Sequence, residues 1–137
     1  MKSILSFAIG LVALFTVTTG FTPVKDNAHF VSDPCLKGRT IQATIAGLGS
    51  GGITVTMSGD FICVNPGGNE PKPKSFELTQ NFDKKSGGNF RLSFDLASLC
   101  PNRNWTFKVS DLHIVVSTTG DGVVLDQTFP GTLASCK

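Results

Sequence analysis

The side chains able to do chemistry in this chain are few and far apart. Cys35, Cys63, Cys100 and Cys136 are its only cysteines, and successive spacings of 28, 37 and 36 residues leave no close pair. Structural zinc sites take ligand pairs about two to four residues apart, so the four read as two disulfides, with three connectivities open. His29 and His113 are the only histidines, and the sequence places no carboxylate to orient either imidazole. His113, between the apolar Leu112 and Ile114, reads as facing solvent. No G-x-S-x-G elbow supplies a nucleophilic serine, and oxidised cysteines cannot replace one. Asp60, Glu70, Glu77, Asp83, Asp95, Asp111, Asp121 and Asp126 are scattered over turns and outward strand positions. That distribution fits solvated charge better than the paired carboxylates of glycoside hydrolysis.

Glycine-rich stretches have plainer readings as well. Gly120-Asp121-Gly122 lacks the further oxygen ligands of a calcium loop and suits a hairpin turn. Residues 47 to 52 and 66 to 68 lack the Lys-Ser/Thr and helix that complete a phosphate cradle. No catalytic residue, metal ligand or cofactor site is therefore expected. Asn104-Trp105-Thr106 matches the acceptor pattern for N-glycosylation, which matters only in a eukaryotic secretory route.

The segments between these residues carry the period-two pattern of half-buried strands. Ile41, Ala43 and Ile45 alternate with Thr40, Gln42 and Thr44. After a glycine-rich turn, Ile53, Val55, Met57, Phe61 and Cys63 share a face, and the two runs are expected to form a hairpin. Residues 65 to 74 include three prolines and no periodicity, so they form a loop. Phe76, Leu78 and Phe82 then face inward, Lys84 to Gly88 turn the chain, and Phe90, Leu92, Phe94 and Leu96 complete a second expected hairpin. A single helical turn suits Asp95 to Leu99. Trp105, Phe107 and Val109 share a face. The register changes near Ser110-Asp111, as at a β-bulge, and Leu112, Ile114 and Val116 point inward beyond it. Val123, Leu125 and Phe129 close a third hairpin, and a short strand near His29 to Val31 is expected along an edge.

Ahead of this pattern, Lys2 precedes an apolar run from Ile4 to Val17, followed by the small residues Thr18, Thr19 and Gly20. That is the order of a secretory signal peptide, and the run is short of the ~20 apolar residues of a membrane span. The expected organisation is a leader at 1–20, an N-terminal extension at 21–38 and a β-sandwich at 39–137. One of the 12 Lys+Arg is in the leader, which leaves 11 against 10 Asp+Glu. So balanced a chain has no electrostatic footprint for nucleic acid, and once the leader is removed no stable membrane anchor is expected. The fold class predicted is all-β: a single disulfide-stapled β-sandwich, immunoglobulin-like in general architecture, of about six or seven antiparallel strands.

Two local patterns add a resemblance. Cys63-Val64-Asn65-Pro66-Gly67-Gly68-Asn69-Glu70-Pro71 and Cys100-Pro101-Asn102-Arg103-Asn104-Trp105-Thr106 are similar to C-x-N-x-G-G-N-x-P and C-P-N-x-x-W segments of small exported bacterial β-domain proteins. In those, a strand like Val109 to Leu112 follows, and the likeness covers about residues 40 to 130. It implies export, a β-domain and a Cys63–Cys100 bridge, which leaves Cys35 to pair with Cys136. It transfers no catalytic or binding residue.

The resemblance directs attention to the 65–74 loop. Long irregular connections in small domains are often functional, which makes Asn65, Gly67, Gly68, Asn69 and Glu70 a candidate interaction loop, although turn geometry alone also explains those residue types. The function expected is that of a non-enzymatic secreted or periplasmic module for an unknown protein or envelope partner. One alternative is a carrier that holds a small apolar ligand or lipid among its phenylalanines. The other is a carbohydrate-binding module, disfavoured by the absence of tyrosine and by the inward pattern position of Trp105.

Overall fold

Alternating apolar residues with β-branched and aromatic enrichment build seven strands in the computed structural model. It describes residues 27–49, 51–84 and 88–137. The leader assigned to 1–20 lies outside the described residues, as do parts of the turns expected at 47–52 and 84–88. The strands are β1 (His29–Lys37), β2 (Thr40–Ala46), β3 (Gly51–Val64), β4 (Lys74–Lys84), β5 (Phe90–Asp95), β6 (Thr106–Thr118) and β7 (Gly122–Thr132). They form two antiparallel sheets, ordered β1-β2-β5 and β4-β3-β6-β7. A single 3-10 turn at Ala97–Leu99 occupies the place where one helical turn was expected.

One apolar layer fills the space between the sheets. Ile41 and Ile45 of β2 and Leu92 of β5 meet Val55 and Met57 of β3 and Leu112, Ile114 and Val116 of β6, all at most 1% exposed. Burying each such side chain contributes about 1.5–3 kcal/mol, so this layer dominates the favourable side of folding.

Strand faces follow the alternation closely, but two of the three expected hairpins do not form. β2 pairs with β1 and β5, not with β3. β4 pairs with β3 across the proline-rich loop, not with β5. The reason is that a strand with one buried face has the same alternation whether its successor lies beside it or across the core. The third hairpin, β6–β7, is present, with Gly120 and Asp121 in its turn. The edge strand near His29 is longer than expected and runs to Lys37. It joins the first sheet, so the sandwich takes in residues assigned to an N-terminal extension.

The bulge in β6 falls where the pattern shifts. Asp111 adopts φ 51°, and the β3–β6 register slips between Ser58 and Asp60. Asp111 tolerates this left-handed conformation better than most residues, and its Oδ1 accepts a hydrogen bond from Gly131 N at 2.9 Å. Opposite the bulge sits Gly59, where a Cβ would come within 3.0 Å of Ser110 O. A second irregularity in β7 overturns one expected core position: the register slips between Val116 and Ser117, leaving Val123 49% exposed and burying Val124.

Each disulfide fastens a strand to a segment outside the two sheets. Cys35 of β1 bonds Cys136, beyond β7, with Cα atoms 4.9 Å apart. Cys63 of β3 bonds Cys100, beyond β5, at 5.9 Å. Two disulfides belong to an oxidising, non-cytoplasmic compartment. Among the described residues, no helix is long and apolar enough to cross a membrane.

Two stability outcomes follow from this architecture. Replacing Cys35 and Cys136 together by serine opens a link spanning 101 residues and is expected to cost about 2–5 kcal/mol. Gly59→Ala, which forces the bulge backbone to move, is expected to cost about 1–3 kcal/mol. Denaturant unfolding followed by fluorescence of the single tryptophan measures both; an unchanged midpoint in either variant contradicts the corresponding account.

Candidate functional site

The segment from Leu96 to Trp105 carries the chain from the first sheet to the second, outside both hydrogen-bonded ladders. Its backbone carbonyls need partners, and Arg39, in the tight β1–β2 turn, supplies them. The guanidinium donates to the carbonyls of Cys100 and Asn102, and to that of Trp105 at 3.4 Å. The Arg39 carbonyl accepts from Leu96 N at 2.8 Å. A rigid planar fork with several donors suits this task, and a point-charge ammonium does not. Asn102 Oδ1 tightens the segment further by accepting from Asn104 N at 3.1 Å.

Trp105 is 37% exposed, which corrects its expected core position. β6 begins at Thr106, and the inward alternation reaches the core first at Phe107. Trp105 therefore lies beyond the last packed layer, at the end of the sandwich. Asn104 of the acceptor pattern is exposed beside it.

An apolar cleft of about 440 Å³ opens next to this tryptophan. Pro71, Lys72 and Lys74 line it from the β3–β4 loop and the start of β4. Pro101, Asn102 and Trp105 line it from the crossing segment, and the Cys63–Cys100 disulfide lies between. A second hollow of about 310 Å³ also borders Trp105 and is lined by Arg39, Arg103 and Leu36. The first volume falls in the range of small-ligand sites.

The expected interaction loop contributes to this cleft differently from the way its sequence suggested. Asn65 makes the turn: its carbonyl accepts from Gly68 N at 2.9 Å, and its Oδ1 accepts from Asn69 N at 3.2 Å. Gly68 meets the positive φ of 79° that this turn requires. Glu70 forms an ion pair with Lys108 of β6 at 2.6 Å, tying the loop to the sheet. Asn65, Gly67, Gly68, Asn69 and Glu70 thus shape and anchor the loop, while Pro71, Lys72 and Lys74 face the cleft.

Comparison with protein-family models, curated proteins and solved structures finds no match to this chain.

One arrangement was not legible in the sequence: His113 Nε2 lies 2.6 Å from Asp126 Oδ1, across β6 and β7. Ser58 stands opposite His113 in register. No Ser58–His113 hydrogen bond joins them, and the imidazole–carboxylate pair lies on an open sheet face with side chains 39% and 61% exposed. His29 uses Nδ1 on the carbonyl of Asn27 at 2.6 Å. Other carboxylates serve the fold: Asp60 accepts from Ser75 Oγ at 3.0 Å, and Asp95 accepts from Ala97 N at 2.8 Å. Among the described residues, no group of three or more His, Cys, Asp or Glu side chains is placed to hold a metal.

The Arg39 clamp has a direct readout, because Trp105 is the only tryptophan and the chain has no tyrosine. Arg39→Ala should make Trp105 more readily quenched by acrylamide and destabilise the fold by about 0.5–1.5 kcal/mol, since of the three carbonyls only that of Cys100 is part-buried. Arg39→Lys should restore little of either. Unchanged quenching in Arg39→Ala would show that the clamp does not position the tryptophan.

Proposed function

We propose that this protein is a non-enzymatic, exported β-sandwich module that binds an envelope or extracellular partner through the Trp105 cleft. The observation that carries this reading is the large exposed aromatic at the mouth of an apolar cleft, held there by a disulfide and by an arginine clamp. Tryptophan at the rim of a rigid pocket is a recurrent anchor in recognition, because it brings a large contact area with little entropy left to lose. The leader pattern at 1–20 together with the two disulfides supports export to the periplasm or medium.

Strand connectivity supports an immunoglobulin-like architecture. β1, β2 and β5 stand in the order of strands A, B and E, and β3, β6 and β7 in that of C, F and G, with β4 added at the second sheet's edge. Neither disulfide takes the position that links strands B and F in antibody domains, so connectivity alone supports this comparison. Such sandwiches present loops at their ends as binding surfaces, and the cleft lies at an end.

Between the two narrower readings, exposure of Trp105 favours a glycan over an apolar cargo. The phenylalanines that a lipid carrier would splay apart pack on one another, with Phe61 rings 6.1 Å from Phe76 and 6.0 Å from Phe107.

The test is co-sedimentation of the mature protein with the insoluble envelope fraction of the organism that makes it. Trp105→Ala is expected to reduce binding roughly tenfold, the equivalent of ~1.4 kcal/mol. Thr79→Ala, on the outer face of β4, should bind as the parent does. Equal retention of both variants, or no binding by the parent, would reject the cleft as the binding surface.

A further inference from the structure

We infer that the occupant of the Trp105 cleft is an acidic glycan, a polymer bearing uronic-acid carboxylates, with a sugar ring stacked on the indole. This inference rests on the cleft being the binding surface and adds the chemical class of what it takes.

Charge is the first argument. The two hollows that border Trp105 are lined by Lys72 and Lys74 on one side and by Arg39 and Arg103 on the other, with no carboxylate in either lining. Beyond its leader the chain is nearly neutral, with 11 basic against 10 acidic residues, so four cations around one tryptophan are a local concentration rather than a general property. Arg39 is committed to the carbonyls of the crossing segment, but they do not cancel its charge. Lys72, Lys74 and Arg103 form no ion pair with a described residue, whereas Lys108 nearby is paired with Glu70. Like charges gathered without internal partners create a positive potential that attracts and orients an anion.

Shape and surface chemistry are the second argument. The negative face of an indole favours the weakly positive C–H face of a sugar ring, and a ring lying on it leaves its hydroxyls and carboxylate free at the edge. Asn102 adds an amide that both donates and accepts at that edge. Because the tryptophan borders both hollows, a chain of rings crossing it would meet the lysines on one side and Arg103 on the other. An acidic peptide fits less well. It would meet the same cations, but a run of carboxylate side chains brings no ring face to lie on the indole.

The test is calorimetric titration of the mature, oxidised protein with an alginate oligosaccharide. The same oligosaccharide with its carboxylates reduced to alcohols and a polyglutamate of matched charge serve as controls. Expected are saturable alginate binding that weakens as salt is raised, a change in Trp105 fluorescence on binding, and at least roughly tenfold weaker binding of both controls. Trp105→Ala and the Lys72→Gln/Lys74→Gln double variant should each weaken binding roughly tenfold, while Arg91→Gln on β5 should not change it. The three cleft residues are exposed, so these variants are expected to fold, and circular dichroism checks that they do. Equal binding of polyglutamate would overturn the inference in favour of a general polyanion site, and equal binding of the reduced oligosaccharide in favour of a neutral glycan. Absence of alginate binding would overturn it outright. If Trp105-dependent envelope binding survives that result, only the occupant is wrong. If it too is absent, the cleft itself is not the binding surface.

Discussion

Two sheets sharing one apolar layer must be held in register at their ends, where the layer runs out, and this protein concentrates its fastenings at one end. Cys35–Cys136 ties β1 to the tail beyond β7, and Cys63–Cys100 ties β3 to the segment beyond β5. The tail adds backbone bonds around Leu36, whose N donates to Ala134 O at 2.8 Å and whose carbonyl accepts from Cys136 N at 3.0 Å. The Arg39 fork completes the set. Chain crossings are costly because their backbone groups leave the ladders, and each fastening here answers a group or a strand end that would otherwise lack a partner. The rigidity needed for the fold at this end is the same rigidity that holds Trp105 in place.

The outer face of the four-stranded sheet shows a different economy. Thr54 Oγ1 donates to Asn81 Oδ1 at 2.8 Å, Thr56 and Thr79 share a hydrogen bond at 2.9 Å, and Ser75 bonds Asp60. These polar side chains largely satisfy one another across strands, as does the His113–Asp126 pair. Such a flat surface, open to water, gives a ligand little to displace and little shape to fit. At the Trp105 end the situation reverses: apolar area is exposed and several cations have no internal partner. Binding energy is available where the fold has left interactions unmade.

Much of the fold was legible because alternation reports burial directly. Ile41, Ala43 and Ile45, Leu92, Phe94 and Leu96, and the switch from Phe107 and Val109 to Leu112 and Ile114 all read correctly, and the last even located the bulge. Pairing was not legible. Alternation states which side of a strand is wet, while the choice between a neighbour in the same sheet and one across the core depends on non-local contacts. Val123 was misplaced because a bulge moves the pattern by one residue in a run of two valines, where either register looks equally apolar.

The site itself was the least legible part, and Trp105 shows why. Its position two residues before Phe107 continues an inward pattern, and only the end of the strand at Thr106 takes it out of the core. Local sequence does not mark where a sandwich's packed layers stop, since that limit depends on how far the opposite sheet extends. Lys72 and Lys74 were hidden for a related reason: lysines among prolines suit any exposed loop, and their gathering beside Trp105 follows from the non-local pairing of β3 with β6, which sets Val64 opposite Thr106. The motif residues Asn65, Gly67, Gly68 and Asn69 were conspicuous because turn geometry restricts residue type so narrowly. A surface that binds by shape and charge restricts it far less. Conspicuous residues here build the scaffold, and inconspicuous ones face the cleft.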